Sequence, residues 1–110
     1  MSAPALMYQS SAPRIHAETP EQALWTAVVI RAAQDVGLWW DAEPSNREAA
    51  REAVRWLFHP LHEGPLEEVC GYAHVDVGTL RRAAKDLWME KLPEDYQPMR
   101  NALWAEVTAW

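Results

Sequence analysis

One cysteine, one phenylalanine and four glycines stand in 110 residues, and basic side chains are outnumbered by acidic ones, 10 to 16. Cys70 alone cannot close an internal disulfide, so oxidative stapling does not hold this chain together. The formal charge of −6 opposes indiscriminate nucleic-acid binding, which draws its affinity from neutralised phosphates. A local basic face could still work on an acidic protein. No run is long or apolar enough to span a bilayer, and the opening MSAPALMYQSSAPR lacks the basic start and continuous apolar run of a secretory signal. The expectation is a cytoplasmic chain that does not enter the membrane. Gly-rich phosphate loops, H-E-x-x-H and G-x-S-x-G are missing as well, so the sequence offers no catalytic residue and no cofactor site, and an enzyme is not expected.

What the chain does have is apolar mass. Its hydrophobic fraction is 49% and it carries seven tryptophans, enough for one compact core in a single domain. Each indole buries a large ring and still needs a partner for its N–H. No segment alternates as a strand, no unit repeats, and the periodicity is helical throughout. The fold expected is all-α, a small single-domain bundle of four to five helices. Residues 1–18, with Pro4, Pro13 and a Gln-Ser-Ser cluster, read as a flexible N-terminal arm. Residues 19–93 read as the helical domain, and 94–110 as a C-terminal docking helix or tail.

Thr19-Pro20-Glu21-Gln22 combines a capping side chain, a proline suited to the first helical position and a capping-box partner. The helix it opens, to about Val36, is apolar on several sides through Leu24, Trp25, Val28, Val29, Ile30 and Ala33. It should therefore be the central one, with Val28 in the core and Gly37 as its stop. Ser45 and Glu48 suggest a second capping box. The helix they open carries Ala50, Val54 and Leu57 inward and ends at His59-Pro60. A third helix is expected over Leu66–Ala73. A tight connection, His74-Val75-Asp76, leads to a fourth, capped by Asp76, with Leu80, Ala83, Ala84, Leu87 and Trp88 on its buried face. Met99, Leu103, Val107 and Trp110 share one side of a last short helix.

The segment LEEVCGYAHVDVGTLRRAAKDL meets the requirements of a helix-turn-helix. Val69 and Ala73 are apolar, Cys70 is small where the helices approach, and Val75 plugs the turn. Asp76 caps the second helix, and Leu80 and Ala83 face inward. The segment resembles the LxxVAxxAGVSxGTLxRxL pattern common in bacterial regulators, with His74 where that pattern has glycine and Ala83 read as small where a larger aliphatic is usual. On this reading Thr79, Arg81, Arg82 and Lys85 face DNA, and Arg47, Arg51 and Arg55, at i, i+4 and i+8, add phosphate contacts. The same three arginines can instead form a solvated face paired with Glu48 and Glu52.

Two further constellations bear on function. His59, His62, Cys70 and His74 have zinc-like spacings, but Cys70 is already needed inside the hairpin and His62 falls in a loop, so no metal site is expected. Trp39-Trp40 and Trp110 are candidate partner anchors, because adjacent indoles on a helix cannot both point inward; the alternative is that Trp39 and Trp40 both lie over the open end of a small core.

From the capped apolar helix through Arg-Trp-Leu-Phe to Leu-Glu-Glu-Val-Cys-Gly-Tyr-Ala, residues 22–88 resemble small proteins of temperate phages, prophages and related mobile elements of high-GC bacteria. The resemblance implies either transcription regulation by a DNA-binding helix-turn-helix, with a homodimer compatible, or interference with a host machine. In the second case the partner is RNA polymerase or a CRISPR or other defence complex. The attractive field would then come from Asp35, Asp41, Glu43, Glu67, Glu68, Glu90, Glu94 and Asp95, and the anchors from Trp39, Trp40 or Trp110.

Overall fold

The computed structural model describes residues 19–110; the expected N-terminal arm lies outside them. These residues form five α-helices and no strand: α1 Pro20–Val36, α2 Pro44–Phe58, α3 Glu63–Ala73, α4 Val77–Glu90 and α5 Arg100–Val107. Short 3-10 turns at Pro60–His62 and Glu94–Met99 lead into α3 and α5.

Helix α1 is central and packs on α2, α3 and α4. Thr19 Oγ1 accepts the Gln22 N–H at 3.0 Å, and Pro20, which has no N–H to leave unpaired, takes the first turn. The buried line is Val29, Ala33 and Val36. All three neighbours approach from that side, so Val28 is 38% exposed and does not belong to the core, and Leu24 and Ile30 are exposed as well. Gly37 ends the helix in a right-handed conformation (φ −66°), not a left-handed one. A Cβ there would lie 3.2 Å from the Gln34 carbonyl oxygen, a tight approach to the last turn of its own helix, and in ordinary contact with Leu87 Cβ at 3.5 Å.

The start of α2 differs from the expected Ser45–Glu48 box. Pro44 occupies the first turn, Glu43 sits in the cap position without a side-chain bond, and Ser45 is already helical. Order comes from Asp41 instead. Its carboxylate accepts the Glu43 N–H at 3.0 Å and Asn46 Nδ2 at 2.9 Å, and these bonds hold its pKa below the ordinary 3.8. Ala50, Ala53, Val54 and Leu57 are buried, and His59 is extended before Pro60 as the proline requires.

The α3–α4 hairpin is formed as the spacing predicts. Helix α3 begins at Glu63, earlier than expected, because Gly64 and Pro65 fit within its first turn, where N–H groups have no helical acceptor anyway. Leu66, Cys70 and Ala73 are buried and Val69 is half-buried. His74, where the regulator pattern has glycine, adopts the left-handed φ 58°, ψ 42° that glycine takes most easily. Its N–H bonds the Gly71 carbonyl at 3.2 Å, and the Val75 N–H bonds the Cys70 carbonyl at 2.9 Å. That pair of bonds satisfies the last carbonyls of α3 and turns the chain so that Val75 packs on the core. Asp76 then caps α4 by accepting the Thr79 N–H at 2.9 Å. The buried face of α4 is Leu80, Ala84 and Trp88, while Ala83 is exposed. The inward small residue is therefore Ala84, because i+4 from Leu80 returns to the same face and i+3 falls at its edge.

Aromatic rings close the far end. Trp88 touches Trp104 of α5 at 5.1 Å between centroids, Trp104 meets Phe58 edge-on at 5.0 Å, and Trp40 lies 5.4 Å from Trp88. Thus three helices and the α1–α2 turn share one indole cluster, and Trp104 docks α5. Met99 and Trp110, expected on the docking side, are exposed, since the 3-10 turn through Pro98 shifts where α5 begins. No helix among the described residues is long and apolar enough to cross a membrane.

Candidate functional site

The side chains expected to face DNA divide sharply. Arg81 turns towards α2 and the start of α3. Its Nε donates to the Leu57 carbonyl oxygen at 2.6 Å, its Nη2 to Glu63 Oε1 at 2.7 Å, and its guanidinium lies 6.0 Å from the Phe58 ring centre. Leu57 lies in the last turn of α2, whose carbonyls have no helical donor, and Arg81 supplies one. The guanidinium in turn holds the Glu63 carboxyl below its ordinary 4.5. Arg81 is thereby committed within the molecule.

Thr79 and Arg82 remain on the outer surface of α4, and Lys85 is half-exposed. Thr79 Oγ1 donates to Asp76 at 3.2 Å and accepts from Arg82 Nη2 at 3.2 Å, a local chain over the first turn of the helix. Asp86 and Glu90 share the exposed part of α4, and Glu67 and Glu68 are exposed on α3. The hairpin therefore shows two outward cations, Arg82 and Lys85, the first already bonded to Thr79, among several carboxylates, a poor field for phosphate.

The arginine row of α2 is not one strip. Arg47 Nη1 reaches back to the carbonyls of Asp41 and Ala42 at 2.9 and 2.8 Å and fastens the turn before the helix. Arg51 pairs with Glu48 at 3.2 Å, both side chains more than half exposed, a contact of little energetic weight. Arg55 is exposed and has no partner among the described residues.

Trp39 and Trp40 are both half-buried against the core, in a turn rather than on a helix, so of the two expected arrangements it is the one with both indoles over the core that occurs. Trp40 is fixed between Trp88 and Tyr96, and the Nε1 atoms of Trp40 and Trp88 are buried without a hydrogen-bond acceptor. Beside Trp40 an open cleft of about 320 Å³ is lined by Gln34, Leu38, Asp41, Leu87 and Lys91. Trp110 is 51% exposed and lies 4.8 Å from the His59 ring. His59 Nδ1 accepts the Leu61 N–H at 3.0 Å, which commits that nitrogen. Burial pushes the Cys70 thiol above its ordinary range, the state of an inert cysteine.

Sequence reasoning missed a surface on the other side of the molecule. Glu21, Leu24, Trp25 and Val28 follow i, i+3, i+4, i+7 and form one stripe of α1. Leu24 is 58% and Val28 38% exposed. Trp25 lies 5.8 Å from Tyr72 of α3, itself 50% exposed, and the Tyr72 hydroxyl donates to Glu68 at 3.1 Å. The bond to Glu68 holds the phenol proton on, and Glu21, one helical turn before Trp25, lies exposed on the same stripe of α1. The spacing was visible, but in a helix apolar on several sides nothing marked which apolar residues would lack a neighbour.

No family model matches this chain, and neither a curated protein nor a solved structure is significantly similar to it.

Proposed function

We propose that this chain is a non-enzymatic protein-interaction domain that uses its helix-turn-helix-like hairpin as scaffold rather than as a DNA reader. The observation that carries the reading is Arg81. One of the two arginines that the sequence places on the DNA-facing side of α4 is held between the end of α2 and Glu63. The outer surfaces of α3 and α4 are then left with more carboxylates than cations. An acidic surface favours a partner with a basic one, because complementary potentials steer encounter and exclude wrong partners. Host complexes that handle nucleic acid, RNA polymerase or a defence effector, present such surfaces and agree with the resemblance to mobile-element proteins.

DNA binding is the competing reading, and the hairpin turn, the Asp76 cap and the exposed Thr79, Arg82 and Lys85 favour it. A mobility-shift assay on the protein's own upstream region at low salt separates the two. The interaction reading expects no retarded band. A salt-sensitive shift that Arg82→Ala or Lys85→Ala removes overturns it.

A further inference from the structure

We infer that the Glu21–Leu24–Trp25–Val28 stripe of α1, with Tyr72 and Glu68 of α3, is the docking surface for a basic amphipathic helix of another protein. The inference rests on the interaction reading above and names the chemistry of the partner. Its centre is apolar: Leu24, Val28 and Tyr72 are exposed, and Trp25, half-buried against the core, packs on Tyr72. Aromatic residues of this kind present large contact areas at little cost in rotamer freedom, and the bond from Tyr72 to Glu68 already fixes one of them. A helix with apolar anchors at the same i, i+3, i+4, i+7 spacing lays its side chains along such a stripe.

Charge decides which occupant. The rim carries Glu68, bonded to Tyr72 at 3.1 Å, and exposed Glu21, one turn before Trp25 on α1. The one basic residue of α1, Arg31, is paired with Asp35 at 3.1 Å. A second copy carries the same net charge of −6, which opposes its approach to this acidic rim. The same rim repels phosphate. Lysines or arginines flanking the anchors of a partner helix would meet Glu21 and Glu68 instead.

The test uses the full chain and two labelled synthetic peptides of roughly 18 residues, long enough to hold a helix, with leucine along one face. One carries lysine on the other face and its control carries glutamate. Fluorescence anisotropy should show the lysine peptide binding with an affinity that falls with salt, and the glutamate peptide not binding. Val28→Glu should weaken binding by about tenfold or more while leaving the helical circular dichroism intact, because the site is exposed. Glu21→Lys combined with Glu68→Lys should transfer the preference to the glutamate peptide. Failure to bind either peptide overturns the proposal, as does equal binding of both. A dimer in light scattering that Val28→Glu dissociates also overturns it and assigns the face to a second copy. None of these failures touches the interaction reading, which falls only if the duplex shift appears.

Discussion

Arg81 and Leu57 are joined by a hydrogen bond that ties α4 to α2: the guanidinium Nε donates to the Leu57 carbonyl oxygen at 2.6 Å. The bond gives a donor to a helix-end carbonyl and turns the side chain away from the surface the hairpin would present to a duplex. Arg81→Met keeps the length of the side chain and removes the donors. It should lower stability by about 1–2 kcal/mol through the lost bond to Leu57, read from chemical denaturation. Glu63→Gln should lower Tm by less, and in the Arg81→Met background it should change Tm little, because its partner is already gone.

Adjacent valines on α1 should behave oppositely. Val29 is fully buried and Val28 is 38% exposed. Val29→Asp places an unpaired charge in the core and should unfold the domain. Val28→Asp should leave the circular dichroism spectrum helical and Tm within a few degrees of the parent. Equal loss in both variants would show the outer face of α1 to be covered.

Much of this fold was legible because its devices are local. Thr19, Asp76 and the His74 turn each act within a few residues, and all three form as their sequence contexts predict. Errors fell where long-range packing chose between equivalent apolar residues. Val28 against Val29, and Ala83 against Ala84, differ only in which neighbour arrives. Arg81 is the same problem in a polar residue. Nothing nearby in sequence announces the Leu57 carbonyl, 24 positions away, so a side chain that looks free on α4 is occupied in the fold. The Glu21–Val28 stripe was legible as spacing and not as exposure.

His74 holds a left-handed conformation at φ 58° without being glycine. An L-residue there costs about 1–2 kcal/mol, of which glycine returns part through its greater freedom in the unfolded chain. His74→Gly should therefore stabilise the domain by roughly 0.5–1 kcal/mol. Urea denaturation measures it, and a destabilised variant would mean that the imidazole makes a contact worth more than the strain.

Stability should fall in acid. Asp41, Asp76 and Glu63 all titrate below their ordinary values of 3.8, 3.8 and 4.5, the first two through hydrogen bonds and Glu63 through Arg81. A carboxyl whose folded pKa is depressed contributes fully above its unfolded value and loses that contribution as pH falls through the folded one. The contribution of these three to Tm should be constant above about pH 5.5 and lost progressively below pH 4.5. Asp76→Asn keeps a capping oxygen and removes the titration, so its acid loss should be shallower than the parent's.

The central claim is that Arg81 is a fixture of the fold and not a reader of DNA, and its Nε–H proton reports on this directly. In a ¹⁵N-labelled sample at low salt, the Arg81 Nε–H signal should be resolved and protected from exchange with water. It should stay in place when duplex DNA carrying the upstream region is titrated in. A signal unprotected in the free protein, or one that shifts with saturable dependence on the duplex, would contradict the account.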